Sequence, residues 1–270
     1  MSAGGAGRDG PDPGEPEVVV LADPDRLAVE TARRIAEALA TAVARRGAAH
    51  WATTGGTSSP GVYRELVGPG LRDGVPWERV HLWWGDDRFV ARADRLSNVR
   101  AADEILLAPG VGVPIPPEAV HPVPTDAAIA RELGPAWAAE RYADELRRSG
   151  PPARDGWPAF DVILVGVGPD GHLLSVFPDS PAWDVDALAL AVDAPSHIGP
   201  HVPRVSLNPR VLDAAGTLLA AVAGAGKAAI VDELLGPVRD ERRLPAQRAR
   251  RHGATWLLDA AAAGSRATPS

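Results

Sequence analysis

From Glu17 onward the chain repeats one rhythm: a short apolar run, a polar turn, then a longer stretch whose apolar positions recur at helical spacing. The runs Glu17 to Leu21, His50 to Thr53, Val80 to Trp84, Asp161 to Val165, Leu188 to Val192, Thr217 to Ala223 and Ala254 to Leu258 read as strands. Asp23-Pro24 is a cap followed by a helix-starting proline, and Leu27, Thr31, Ile35, Ala38, Ala42 and Val43 give that helix a buried stripe to about Arg46. Further helices are predicted from Pro60 through Leu66, over Ser97 to Leu107 and Ala127 to Arg148, and from about Lys227 to Leu235. Strands alternating with helices imply an α/β fold, a mostly parallel sheet covered on both faces. No repeat or long linker divides it, so residues 17–263 are expected to form one domain. Residues 1–16 and 264–270, rich in Gly and Pro or otherwise poor in apolar residues, read as disordered tails.

In such sheets ligands collect at the carboxyl ends of the strands. The polar, glycine-rich segments of this chain fall there. Thr54-Gly55-Gly56-Thr57-Ser58-Ser59-Pro60 joins a strand to a proline-started helix, which suits either an anion held by backbone N–H groups or a plain capped turn. Asp86-Asp87-Arg88 places two carboxylates and a guanidinium after another strand. Gly224-Ala225-Gly226-Lys227 resembles half a P-loop, but position 221 is Ala and Ala228 replaces the Ser or Thr that would hold Mg²⁺. Gly166-Val167-Gly168-Pro169-Asp170-Gly171-His172 formally matches a dinucleotide fingerprint. Pro169 and Asp170 stand where a backbone must hug a pyrophosphate, and Phe177-Pro178 ends the next stretch too early for the long crossover helix. An Asp two residues before a His on a glycine-bent loop reads instead as an acid–base pair. His197 and His201 lie between Pro195 and Pro200, off any helix and with no third ligand apparent, and are read as loop residues without a metal.

Composition narrows the chemistry. The absence of Cys excludes disulfides, thiolate metal sites and cysteine nucleophiles. A formal net charge of −7 argues against a nucleic-acid partner, though not against an anionic small substrate. Lys227 is the chain's single lysine, all other basic side chains apart from histidine being Arg, which makes a lysine at a strand–helix junction conspicuous as a phosphate partner. No stretch approaches the ~20 apolar residues of a membrane span, and no secretory signal is visible, so a cytoplasmic location and no membrane partner are expected.

Taken in order, Thr54-Gly55-Gly56-Thr57, Trp84-Gly85-Asp86-Asp87-Arg88-Phe89-Val90, Ser97-Asn98-Val99-Arg100, Phe160 to Pro178, Arg204-Val205-Ser206-Leu207 and Gly224 to Ala228 resemble the 6-phosphogluconolactonase family. That family is part of the superfamily that includes glucosamine-6-phosphate deaminase. Three departures stand out: one extra residue before Pro60, Asp87 where Glu is usual, and Leu173-Leu174-Ser175 where Thr-Ala-Ser is common. The resemblance implies a Rossmann-like sheet of the glucosamine-6-phosphate deaminase, ribose-5-phosphate isomerase and CoA transferase type. It implies cofactor-free hydrolysis of 6-phospho-D-glucono-1,5-lactone to 6-phosphogluconate, in the oxidative pentose phosphate pathway, by a monomer or homodimer. His172 would be the base, Asp170 its orienting partner, Arg88 a phosphate or oxyanion partner, and Asp86 a holder of ring hydroxyls or of the loop. Gly55, Gly56, Thr57, Ser58, Asn98, Gly171, Arg204 and Lys227 would contact substrate. The nearest rival, an amino-sugar-phosphate deaminase or isomerase, would need an acid soon after His172, where the first is Asp179 beyond Pro178. A non-catalytic sugar-phosphate sensor is the second rival.

Overall fold

The computed structural model describes residues 14–266. Its strands are β1 (Glu17–Leu21), β2 (Ala49–Thr53), β3 (Val80–Trp84), β4 (Asp86–Arg88), β5 (Val120–His121), β6 (Ala153–Arg154), β7 (Trp157–Pro158), β8 (Val162–Val165), β9 (Ala189–Val192), β10 (Arg204–Leu207), β11 (Thr217–Val222) and β12 (Ala254–Asp259). Seven of them form one sheet in the order β1-β12-β11-β8-β2-β3-β5, and every pairing in it is parallel. Strand alternation sorts the core into two layers. Ile163, Val165, Leu218, Ala220, Trp256 and Leu258 pack on one face with the helix Pro135–Ser149. Val162, Leu164, Leu219, Ala221 and Leu257 pack on the other with the helices Pro24–Arg46 and Ser59–Leu66. A sheet buried on both faces needs apolar residues at consecutive positions, as β8 and β11 have.

The long first helix begins as its sequence prescribes, Asp23 accepting the Arg26 N–H at 2.8 Å, and ends at Gly47 in the left-handed region. Elsewhere the structure corrects the expectations. The span Ala127 to Arg148 is two helices, Thr125–Ile129 and Pro135–Ser149, because Glu132 turns to φ 56° and Pro135 disfavours helical backbone at Gly134. The span Ser97 to Leu107 narrows to a turn at Val99–Ala101 and a π-helical stretch, Ala102–Leu106. The strand near Leu188 does not join the main sheet: β9 lies in a separate antiparallel sheet, β4-β10-β9. Of the expected tails, residues 1–13 and 267–270 lie outside the described residues. At their described edges Glu15 pairs with Arg250 and Gly264–Arg266 forms a 3₁₀ turn. No helix among the described residues is long and apolar enough to cross a membrane.

At the amino end of the sheet, opposite the loops that carry the polar motifs, His50, His81 and His121 form a stack. The His50 and His81 rings lie 4.6 Å apart, and His81 Nδ1 is 3.0 Å from His121 Nε2. Trp83 stacks on His121 at 3.9 Å and donates to His50 Nδ1, and Glu145 reaches His121 Nδ1 at 3.2 Å. Burial first, and the neighbouring imidazoles second, push His50 down to about 3 and His121 to about 4; burial lowers His81 as well. The unfolded chain therefore binds protons that the folded chain refuses. This contribution to stability is complete above the unfolded value of 6.5 and is lost as pH falls from there toward 4 and 3. Between about pH 7 and about pH 4.5 urea unfolding is expected to lose on the order of 2 kcal/mol for each of His50 and His121. In His50→Gln, which can still accept from Trp83, the loss should be visibly smaller. An unchanged pH slope would remove the stack as its cause.

Candidate active site

The carboxyl ends of β2, β3, β8 and β11 open on a cavity of about 410 Å³, lined by Thr54 to Ser59, Asp86, Arg88, Asn98, Gly166 to Pro169, His172, Leu174, Ser175, Ile198, Gly199, Arg204 and Lys227. Four sequence motifs far apart in the chain thus meet in one place. Gly55 permits it: a Cβ there would fall 1.8 Å from Asn98 Oδ1, so a larger residue would push Asn98 off the turn.

Residues 166–172 fold back on themselves, the Gly168 N–H donating to His172 O at 2.9 Å and the Gly171 N–H to Gly168 O at 3.1 Å. This brings His172 Nδ1 to 2.5 Å from Asp170 Oδ1. Nδ1 is thereby engaged, and no hydrogen bond to Nε2 is found among the described residues. Burial alone would raise the Asp170 carboxyl, but the bonds and charges of His172 and His197 outweigh it and hold it well below the usual carboxylate range. Asp170 itself stands behind His172 and does not line the cavity. Gly171, expected to touch substrate, is likewise not in the lining: at φ 83° it packs against Leu244 and makes the turn.

β4 is turned out of the parallel sheet at Gly85, whose N–H donates to Thr53 O and whose carbonyl accepts from Leu207 N. The Tyr142 hydroxyl satisfies both backbone groups of Trp84 beside it. The consequence is that Asp86 lies opposite Ser206, and Arg88 opposite Arg204, in antiparallel register. Asp86 is buried, accepting from Ser175 Oγ at 2.5 Å and from Asn98 Nδ2. Asp87 points away from the cavity and receives the N–H groups of Arg88 and Asn98 and the Ser97 hydroxyl. Its burial raises the carboxyl to about 7 against those bonds, with Asp86 adding to the rise.

Arg88 donates to Leu96 O, and Arg204 to Val202 O and Pro200 O, and among the described residues neither guanidinium has a carboxylate partner at the cavity wall. Like charges facing across a strand pair are unfavourable unless an anion lies between them. Lys227 Nζ reaches Val167 O at 2.7 Å, and its burial lowers the ammonium in spite of Asp170. In the glycine turn Ser58 makes no side-chain cap to the helix it precedes, so its hydroxyl is available to the cavity. Asn98 Oδ1 is buried and finds no hydrogen-bond partner among the described residues.

Sequence reasoning missed Ser175 and His197. Ser175 keeps the family's residue beside the altered Leu173 and Leu174, and its bond to Asp86 spans 89 positions. His197 and His201 diverge, His201 Nδ1 going to Pro195 O and His197 Nε2 to Asp170 Oδ2. No group of three metal-ligating side chains is found among the described residues.

Residues 22–257 match the model of the family described as glucosamine-6-phosphate isomerases/6-phosphogluconolactonase. The chain belongs to this family. It is 36% identical over 258 residues to a 6-phosphogluconolactonase of Streptomyces coelicolor, covering 92% of this chain and 94% of that one. The 6-phosphogluconolactonase of Trypanosoma brucei superposes with a TM-score of 0.77 at 27% identity, over 92% of this chain and 98% of the other. A monomeric glucosamine-6-phosphate deaminase superposes with a TM-score of 0.72 at 16% identity over the same shares, a likeness of fold alone. Both branches of the family therefore use this sheet, and the side chains must decide between them.

Proposed function

We propose that this chain hydrolyses 6-phospho-D-glucono-1,5-lactone to 6-phosphogluconate. The observation that carries the choice is the set of carboxylates at the cavity. Among the described residues Asp86 is engaged by Ser175 and Asn98, and Asp170 is engaged by its histidines. Asp179, the first acid after His172, is outside the lining, its N–H donating to Arg242 O. Among the described residues the one carboxylate lining the cavity, Asp86, already accepts two hydrogen bonds, and no acid lies close behind His172 where an amino-sugar-phosphate deaminase would need one. Lactone hydrolysis needs none, because a lactone is an activated ester and one base acting on water suffices.

His172 Nε2 takes a proton from a water as that water attacks the lactone carbonyl. The tetrahedral oxyanion forms beside the Arg88 guanidinium, which stabilises the charge as it develops. When the intermediate collapses the bond from C1 to the ring oxygen breaks, and the ring oxygen leaves as the C5 hydroxyl, taking the proton that His172 held. The new carboxylic acid then ionises. Asp170 holds the imidazole with Nε2 outward throughout. Lys227, Arg204 and the Gly55 to Ser58 turn hold the phosphate, which fits the unpaired positive charge of this wall.

The direct test follows the lactone, generated in place, by coupling its product to NADPH formation with 6-phosphogluconate dehydrogenase, after subtraction of uncatalysed hydrolysis. Ammonia release from glucosamine 6-phosphate without lactone turnover would reverse the assignment. In the same assay Lys227→Met is expected to raise KM about 10- to 100-fold, the loss of one charge-assisted contact to a phosphate, with kcat changed far less. A fall in kcat alone would move Lys227 from binding to chemistry.

A further inference from the structure

The connection from β9 to β10, residues 193–203, forms one wall of the cavity through Ile198 and Gly199. Beside them His197 reaches across to the loop of residues 166–172, its Nε2 lying 2.7 Å from Asp170 Oδ2. The other carboxylate oxygen, Oδ1, is 2.5 Å from His172 Nδ1 and also receives the His172 N–H at 3.2 Å. One carboxylate therefore carries two imidazoles, one on each oxygen. Phe177 fills the angle between them, 4.8 Å from the His172 ring and edge-on to His197 at 5.6 Å, and the Arg204 guanidinium lies over the same ring at 5.1 Å.

The terminal torsion of an aspartate is broad, so a partner on one oxygen leaves the carboxylate plane free to swing. A second donor on the opposite oxygen fixes that plane. With the plane fixed, Oδ1 is aimed at His172 Nδ1, and Nε2 is aimed into the cavity. Gly168 cannot serve as this brace, since it offers no side chain. The charged groups that face Asp170 from neighbouring elements, Lys227 and Arg204, act at longer range and bond to backbone carbonyls instead.

We infer that His197 is a positioning residue for the reaction, acting through Asp170 to set the direction of the His172 imidazole and the share of carboxylate charge that imidazole feels. The inference rests on His172 being the base.

Two substitutions separate the bond from the packing. His197→Phe keeps an aromatic edge against Phe177 and removes the donor; His197→Gln keeps an N–H donor. His197→Phe is expected to lower kcat about 3- to 10-fold, in line with one partly exposed bond to a carboxylate, with KM within about twofold. The acid limb of its kcat/KM profile should move to higher pH. A carboxylate no longer shared favours the protonated imidazole at position 172, so the active base appears later in the titration. His197→Gln should return most of the lost kcat and the wild-type limb.

Wild-type kcat with an unmoved acid limb in His197→Phe would overturn the inference. So would an equal loss in both variants, or an effect confined to KM, which would make the segment a binding wall and nothing more. Urea midpoints near wild type establish that the variants fold, and His197→Ala gives the same reading should the phenylalanine not be accommodated. His172→Ala keeps the two levels apart. If it still turns over the lactone, the base assignment itself fails; if it is inactive while His197→Phe matches wild type, only the role of His197 fails.

Discussion

Replacing His172 with Ala is expected to lower kcat for lactone hydrolysis by about 10²- to 10⁴-fold, the usual worth of a positioned general base, and to change KM by only a fewfold. The reason for the split is in the geometry. In the proposed reaction His172 acts on the attacking water, whereas Arg204, Lys227 and the glycine turn, which hold the phosphate, lie elsewhere on the same wall. Binding should survive the loss of the base. Asp170 keeps His197 as a partner in the variant, so the loop is not left with an unpaired buried carboxylate. Coupled kinetics with background subtraction check this, alongside a urea midpoint to show that the variant is folded. Near-wild-type turnover would transfer the base role to another group.

The second large effect is expected from a change that removes no functional group at all. In Gly168→Ala the new Cβ would fall 2.0 Å from His172 Nδ1 and 2.5 Å from Asp170 Oδ1, closer than real contacts allow. Gly168 is not among the residues with positive φ, so the obstacle is space, not backbone conformation. The loop can relieve the clash only by rotating the imidazole or parting it from Asp170. A base displaced by about 1 Å costs on the order of 10² in kcat, so this single methyl is expected to approach the effect of deleting the base. KM should move little, because Gly168 is not one of the phosphate partners. Gly171→Ala is a different case, strained by its φ of 83° and pressed on Leu244, and its cost should appear in stability as well. If Gly168→Ala retained full kcat, the packed Asp170–His172 geometry would not be the arrangement in which the enzyme works.

Much of this site could be read from the chain because its chemistry is local. The pair Asp170 and His172 is two residues apart, and the glycines around it are what a tight loop requires. The strand ends at Thr53, Trp84 and Val165, and that of β11 to within one residue, were legible from short apolar runs, and strand ends are where such sheets bind ligands. The brace from His197 was not legible. Its partner is 27 positions away, and it sits in a proline-rich segment whose path no periodicity describes. The same holds for Ser175 on Asp86.

The sequence by itself determined the layered α/β architecture, since consecutive apolar residues in the strands and a stripe of apolar positions on each helix have one economical way to leave water. It also determined the loop of residues 166–172 and the identity of the base candidate within it. The tertiary structure alone decided which groups face that base. It paired β4 with β10, setting Arg88 across from Arg204, and withdrew Gly171 from the cavity. It also brought His197 onto the far oxygen of Asp170. The physical reason is one of range: periodicity and turn chemistry are fixed by neighbours in sequence, whereas hydrogen bonds across a cavity depend on how whole elements pack, which no short window of residues contains.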